Sequence, residues 1–153
     1  MAVRERLAQA GFQLPEPAAP KGAYFPSRLS GNQLWVSGTT GRQGATPALR
    51  GVVGADVTIE QAQEQARVAA LNLLAAVDAA TGLESVVSLV HLRGYVRATT
   101  EFDAHPTVID GASTLLLEVF GDQVGAHART AIGVASLPGG ACVELELVAT
   151  VTL

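Results

Sequence analysis

The chain has 153 residues with 48% hydrophobic and 16% charged residues, which excludes disorder as its dominant state and fits one domain with a single core. The net charge of −4 and the scattered basic residues argue against a nucleic-acid partner, which needs a basic face. The single cysteine, Cys142, allows no intramolecular disulfide and suits a reducing cytoplasm, and no apolar stretch reaches the ~18 residues of a membrane span.

The first 20 residues are predicted to be an N-terminal arm, and residues 21–153 a single domain. Three of the seven prolines lie in residues 15–20, where they favour an extended chain. Residues 1–14 are therefore expected to form a short helix or arm set apart from the core.

Two short strands and a loop are predicted next. The strands flank a turn at Ser30-Gly31-Asn32, and the second of them, Gln33–Ser37, is rich in β-formers. Residues 38–56 contain five glycines and a proline, which predicts a long loop of the kind that is often functional.

Two helices are predicted from start and stop signals. Thr58 and Gln61 form a capping-box pattern that opens a helix to Thr81, and Gly82 suits its C-terminal end. A second helix is expected from about Pro106 to Phe120, again closed by a glycine.

Three more strands are expected at residues 86–96, 130–136 and 142–152, the last two joined by a turn at 137–140. Strict alternation would place six residues of the first on one face: Val86, Ser88, Val90, Leu92, Gly94 and Val96. In the final strand it separates an apolar face from a semi-polar one that carries Cys142, Glu144, Glu146, Val148, Thr150 and Thr152.

The element order ββαβαββ predicts an α+β fold with a mixed sheet and two helices packed on one face. The apolar face of the last strand should lie under the helices. The semi-polar face would be exposed in a monomer, which favours self-association with closed cyclic symmetry.

No nucleotide-binding, serine-hydrolase or zinc-protease motif is present, and His91, His105 and His127 have no metal-ligand spacing. Each histidine is interpreted as a surface or satisfied-core residue. Cys142 is interpreted as a packed, inert thiol. No metal and no organic cofactor is predicted.

The C-terminal third carries a more specific pattern. Arg129 opens a strand, Leu137-Pro138 forms a turn, and Val143–Glu146 has the form Val-Glu-x-Glu. With this pattern the chain resembles the RidA family, also called YjgF and long labelled endoribonuclease L-PSP. The resemblance covers about residues 20–152, with supporting matches at Gly22-Ala23-Tyr24, Leu34–Gly38, Glu60–Val77 and Glu101-Phe102.

A divergent branch of that family is more similar still. The elements shared with it are Val108–Leu115, Phe120-Gly121 and the strand that begins at His127. The chain departs from the branch at Asp110, where Asn is usual, and has Ala131 where the deaminases commonly have Cys.

The resemblance implies a chorismate-mutase-like fold and a homotrimer, with three sheets forming a central barrel and ligand clefts between subunits. It also implies hydrolysis of reactive enamines or imines, such as 2-aminoacrylate, to a 2-oxo acid and ammonia without a cofactor. The partner would be a small carboxylate-bearing metabolite.

The candidate site residues suit this chemistry. Arg129 can bind a carboxylate bidentately, or form a surface ion pair. Glu144 can position water or pass a proton to the leaving nitrogen, or simply line the barrel. Tyr24 could close the pocket or pack at the core edge, and the Gly38 N–H could contact the ligand. Asp110 could disfavour an anionic substrate or select an amine-bearing one.

Three functions remain open: a deaminase, a trimeric small-metabolite binder without turnover, and, ranked last, an endoribonuclease.

The directions of the predicted strands give one further expectation about the site. The strands of Arg129 and Glu144 run in opposite directions, and direct pairing would set the two residues about 17 Å apart along the strands. If they share a site, they are expected to do so across a subunit boundary.

Overall fold

The structure, a computed structural model, describes residues 1–153 as three α-helices and one five-stranded sheet. The elements are α1 Val3–Gln9, β1 Ser27–Ser30, β2 Gln33–Thr40, α2 Ile59–Thr81, β3 Val86–Arg97, α3 His105–Val124, β4 Ala128–Val134 and β5 Val143–Val151. The strand order is β1-β2-β5-β3-β4, in which only β3 and β4 pair in parallel. The α+β class and the ββαβαββ order of the domain are confirmed.

The last strand in sequence lies at the centre of the sheet. Because β5 is antiparallel to both β2 and β3, those two strands are parallel to each other, and α2 and α3 are the crossovers between parallel strands. Helix α2 packs on β2 and β5 while α3 packs on β3 and β4, so both helices cover one face. The core forms between them, with Val143, Leu145 and Leu147 of β5 all buried.

The helix signals in the sequence correspond to real ends. The Thr58 hydroxyl accepts from the Gln61 N–H at 3.1 Å, and the Gln61 side chain accepts from the Thr58 N–H at 2.9 Å, which completes the capping box. Gly121 has a φ of 79° and breaks the regular helix at the predicted point, although one further turn follows it to Val124.

A close approach of α2 and α3 depends on Gly111. A Cβ at this position would clash with the carbonyl oxygen of Gln63, and the Gln63 side chain donates to the Thr107 carbonyl at 2.8 Å. The missing side chain lets the two helices touch backbone to backbone, and this contact fixes the position of the neighbouring Asp110.

The expectation that residues 1–14 stand apart from the core is wrong. Leu7 is 4% exposed and belongs to the core cluster. The Glu84 carboxylate accepts from the Val3 and Arg4 N–H groups at the start of α1, and Arg4 pairs with Asp78 at 2.6 Å. A helix of seven residues is marginal by itself, and the Glu84 contacts satisfy two of its free N-terminal donors.

Strict alternation along β3 is also wrong. The register against β5 shifts between Val86 and Ser88 and again between Leu89 and His91, and these irregularities turn Leu89 into the core, where it is 3% exposed. Beyond Leu92 the alternation is regular. Gly94 lies under α3, where a Cβ would clash with Ile109, and Tyr95 faces the other way.

The glycine-rich segment after β2 is a packed loop. The Val53 N–H donates to the Arg97 carbonyl at 2.8 Å, the Leu49 carbonyl accepts from the Cys142 N–H at 3.1 Å, and Val53 is fully buried. The loop therefore covers the start of β5, and burial raises the pKa of the Cys142 thiol to about 11. The interpretation of Cys142 as a packed thiol is confirmed.

None of the three helices combines the length and apolarity needed to cross a membrane.

Candidate active site

Arg129 lies where β4 meets α3. Its Nη1 donates to Asp110 Oδ1 at 2.7 Å and to Ser113 Oγ at 3.1 Å. Asp110 and Ser113 are three residues apart on α3 and so share a face of the helix. The Arg129 side chain is 23% exposed and that of Asp110 58%, so the pair lies at the surface edge of the core.

A second contact extends this group. Ser113 Oγ lies 2.9 Å from His127 Nε2, and His127 Nδ1 lies 2.7 Å from the Gly125 carbonyl oxygen. Because a carbonyl can only accept, Nδ1 carries a proton. In the neutral imidazole Nε2 therefore accepts from the Ser113 hydroxyl. The result is a continuous chain of hydrogen bonds from Gly125 through His127 and Ser113 to Arg129.

The same side of β4 continues past Arg129. Ala131 pairs with Gly94 and packs against the core, and a Cβ at Gly133 would lie 2.5 Å from His105 Nε2. Since β4 is an edge strand, these residues border the open margin of the sheet.

Glu144 lies in the middle of the sheet. It pairs with Thr40 on β2 and with Tyr95 on β3. Its side chain is half-buried and rests against Gly38, where a Cβ would come within 3.2 Å of Glu144 Oε2. The structure therefore brings together Gly38 and Glu144, two of the predicted site residues.

The electrostatics around Glu144 favour its protonated form. Burial, together with the negative charge of Glu146, raises the pKa of Glu144 above its ordinary value of 4.5. Glu146 is held differently: it accepts from the Tyr95 hydroxyl and lies 3.5 Å from Arg93. The hydrogen bond to Glu146 raises the pKa of Tyr95. The uncompensated carboxyl on this face is thus Glu144.

Arg129 and Glu144 lie on opposite faces of one sheet. Arg129 pairs with Leu92, which is buried under the helices, whereas Glu144 pairs with Tyr95, three residues further along β3 on the other face. Strand β3 separates β4 from β5, so the two side chains do not meet within one chain.

Tyr24 forms no hydrogen bond to the other candidate site residues, whereas Asp110 contacts one of them. Tyr24 is 48% exposed and its ring folds back over Gly22, so its hydroxyl bonds to neither Arg129 nor Glu144. Asp110 forms an ion pair with Arg129. The alternative interpretation of Arg129, a surface ion pair, is therefore observed.

The sequence patterns do not single out Ser113 and His127 as site residues. The interpretation of His127 as a satisfied residue is confirmed, because both ring nitrogens have hydrogen-bond partners, and one of those partners is the serine that contacts Arg129. A signal was available. His127 and Arg129 are two residues apart where the chain enters β4, and Asp110 and Ser113 are three apart on a helix, so each pair is expected to share a face.

Comparisons with known proteins match this fold along its length. The family model described as "YjgF/chorismate_mutase-like, putative endoribonuclease" matches residues 4–150. The protein TCP17 of Trypanosoma cruzi is 40% identical over 145 residues, which cover 94% of this chain and 91% of that protein.

Two solved structures are similar throughout. A protein of unknown function from Agrobacterium tumefaciens has 37% identity and a TM-score of 0.90, with 99% of this chain and 93% of that chain covered. A protein from Shewanella oneidensis, named "a putative endoribonuclease", has 34% identity and a TM-score of 0.93, with 99% and 100% covered.

The raised pKa of Glu144 predicts a pH-dependent effect on stability. The folded chain binds this proton more tightly than the unfolded chain, so the contribution is full below the unfolded pKa and is lost as pH rises through the folded pKa. Glu144→Gln replaces the carboxylate with a neutral side chain of equal size. We expect it to raise the melting temperature at pH 8 and to lose that advantage near pH 4.

Glu146→Gln is the matched control, on the same strand and face. It weakens the contacts to Arg93 and Tyr95 and should lower the melting temperature at pH 8. Thermal melts of the three proteins across this pH range measure the difference. A gain for Glu144→Gln that is the same at pH 4 and pH 8 would contradict the assignment.

Proposed function

The chain belongs to the YjgF/chorismate-mutase-like family, and on that premise we propose that it hydrolyses small 2-imino or 2-enamino acids to 2-oxo acids and ammonia. The observation that carries this proposal is the half-buried Glu144 carboxyl, whose pKa is raised and which faces a glycine. A carboxyl that holds its proton closer to neutral pH can both accept and return one during a hydrolysis.

Each proposed role follows from a residue's chemistry. Arg129 binds the substrate carboxylate through its planar guanidinium. Water adds to C2 of the imine while Glu144 takes one proton from that water and delivers it to the nitrogen, which gives a carbinolamine. Glu144 then transfers the proton of the carbinolamine hydroxyl to the nitrogen, and the C–N bond breaks with its electron pair on nitrogen, which releases ammonia and the 2-oxo acid. The Gly38 N–H lies beside Glu144 and can donate to the ligand. Tyr24, in the segment that precedes β1, is proposed to close the pocket.

We further propose that the protein is a homotrimer with the site between subunits. The face of the sheet opposite the helices is uncovered in one chain, and it exposes Trp35, Ile132 and Val87 beside the polar groups. Packing this face against other copies would bury those side chains, and closed cyclic symmetry would leave no face uncovered. The edge of β4 that carries Arg129 could then approach the Glu144 of a neighbouring subunit.

A trimeric binder of small metabolites without turnover is the second candidate. The observation that favours it is the separation of Arg129 and Glu144 on opposite faces of the sheet, because the carboxylate-binding group of one chain then has no acid–base partner in that chain. RNA cleavage, which appears in the family description, is less well supported. Four of the ten basic side chains already pair with carboxylates, and the net charge is −4.

We propose a cytoplasmic location for the protein, which suits its single buried thiol.

Turnover is tested with 2-aminoacrylate generated in situ from L-serine by a dehydratase, with pyruvate release as the readout. We expect the wild-type protein to accelerate release, and Glu144→Gln to abolish the acceleration. Arg129→Ala removes a charge-assisted contact of about 1.5–3 kcal/mol and should weaken binding of a 2-oxo acid by roughly 10- to 150-fold.

Arg28→Ala, an exposed arginine on β1, and Glu146→Gln are the controls, and both should keep most of the activity. Arg129-dependent binding without any acceleration would select the metabolite binder. Neither binding nor acceleration would refute both candidates.

The subunit boundary is tested by complementation. Light scattering at micromolar concentration should first give the mass of a trimer. Chains carrying Arg129→Ala and chains carrying Glu144→Ala are each expected to be inactive, and random mixed trimers of the two should restore about a quarter of the sites. Mixtures as inactive as either parent, or a monomer mass, would contradict the shared site.

A further inference from the structure

Both hydrogens of Arg129 Nη1 are directed at acceptors on α3. Nη1 donates to Asp110 Oδ1 at 2.7 Å and to Ser113 Oγ at 3.1 Å, while Nε and Nη2 donate to no protein acceptor. The Nε–Nη2 edge of an arginine can bind a carboxylate through two parallel hydrogen bonds. Because α3 holds the opposite corner of the guanidinium, this edge is free and turned away from the helix.

The acceptor role of Ser113 depends on the ring beside it. A serine hydroxyl has a single hydrogen, which rotates to suit its surroundings. The Gly125 carbonyl, 2.7 Å from His127 Nδ1, keeps the proton of the neutral ring on that nitrogen, so the Ser113 hydroxyl donates to Nε2 at 2.9 Å. With its hydrogen directed to the ring, the Ser113 oxygen presents lone pairs to Arg129.

Such a chain of contacts restrains the guanidinium before a ligand arrives. An arginine side chain that is free in solution samples many rotamers, and a ligand that binds it must first restrict them. Contacts at Nη1 supply that restriction from the protein itself. They also occupy the Nη1 corner, so a carboxylate can use two hydrogen bonds only at the opposite edge.

We propose that Ser113 and His127 are positioning residues for carboxylate binding by Arg129. His127 orients the Ser113 hydroxyl, and that hydroxyl, together with the Asp110 carboxylate, holds the Nε–Nη2 edge toward the ligand. This inference rests on the proposed function for the identity of the ligand and adds two residues to the site. Neither residue touches the reacting atoms, so their loss should raise KM for a 2-imino acid and leave kcat nearly unaltered.

The restraint on the guanidinium can be measured without a ligand. In protein labelled with nitrogen-15, the Arg129 Nε–H resonance is identified by its loss in Arg129→Lys, and its relaxation reports how tightly the side chain is held. Ser113→Ala and His127→Phe should each make this group more mobile than in the wild-type protein. Ser113→Thr returns the hydroxyl and should restore the restraint. Thr114→Ala removes the exposed hydroxyl of the next residue on α3 and should have no effect.

Calorimetric titration with pyruvate measures the consequence for binding. Ser113→Ala and His127→Phe should each weaken the binding of pyruvate by about 3- to 10-fold, as the loss of one hydrogen bond would. The double variant should bind no more weakly than Ser113→Ala alone, because a residue that acts only through another has no effect once that other is gone. A purely structural role for His127 would instead lower the melting temperature and give losses of affinity that add.

Three outcomes would overturn the positioning role: additive losses in the double variant, a pyruvate affinity unchanged by Ser113→Ala, or an Arg129 Nε–H as restrained in that variant as in the wild-type protein. The proposed function has a different failure. Restraint that depends on Ser113 and His127, with no Arg129-dependent binding of pyruvate, would support the positioning of Arg129 and count against the proposed hydrolysis.

Discussion

The pleat of the sheet decides where the chemistry of this protein can occur. In β5, Val143 and Leu145 must face the helices because they form the core, so Glu144 between them must face away. In β4, Arg129 pairs with the buried Leu92 of β3 and therefore lies on the helix side of the sheet. A slip of one residue would exchange the two faces and expose the core, so this separation is as strongly fixed as the core itself.

The two faces provide different electrostatic environments. On the helix side, Arg129 is compensated by Asp110 and anchored by Ser113. On the open side, Glu146 has partners in Tyr95 and Arg93, whereas Glu144 has none and is destabilised as an anion by burial and by Glu146. A site that uses both Arg129 and Glu144 must draw them from different chains, and that requirement connects the proposed catalysis to the proposed trimer.

Much of the fold could be predicted because its signals are local. The Thr58 capping box, the glycines that end the helices and the apolar alternation of β5 each depend on a few neighbouring residues. The sequence predictions were wrong where contacts between distant residues determine the structure. These cases are the docking of Leu7 on the core and the irregularities of β3 that bury Leu89. For the site, the motif supplied Arg129, Glu144, Gly38 and Asp110. Ser113 and His127 were not predicted, because their contact joins α3 to the segment that precedes β4.

A crystal structure of the protein with bound pyruvate or L-alanine is the most direct test of the candidate site. We predict that the ligand carboxylate binds the Nε–Nη2 edge of Arg129, with Glu144 of a neighbouring subunit facing C2 of the ligand. A ligand held by Arg129 with no Glu144 near it, or by Arg129 and Glu144 of one chain, would contradict the account.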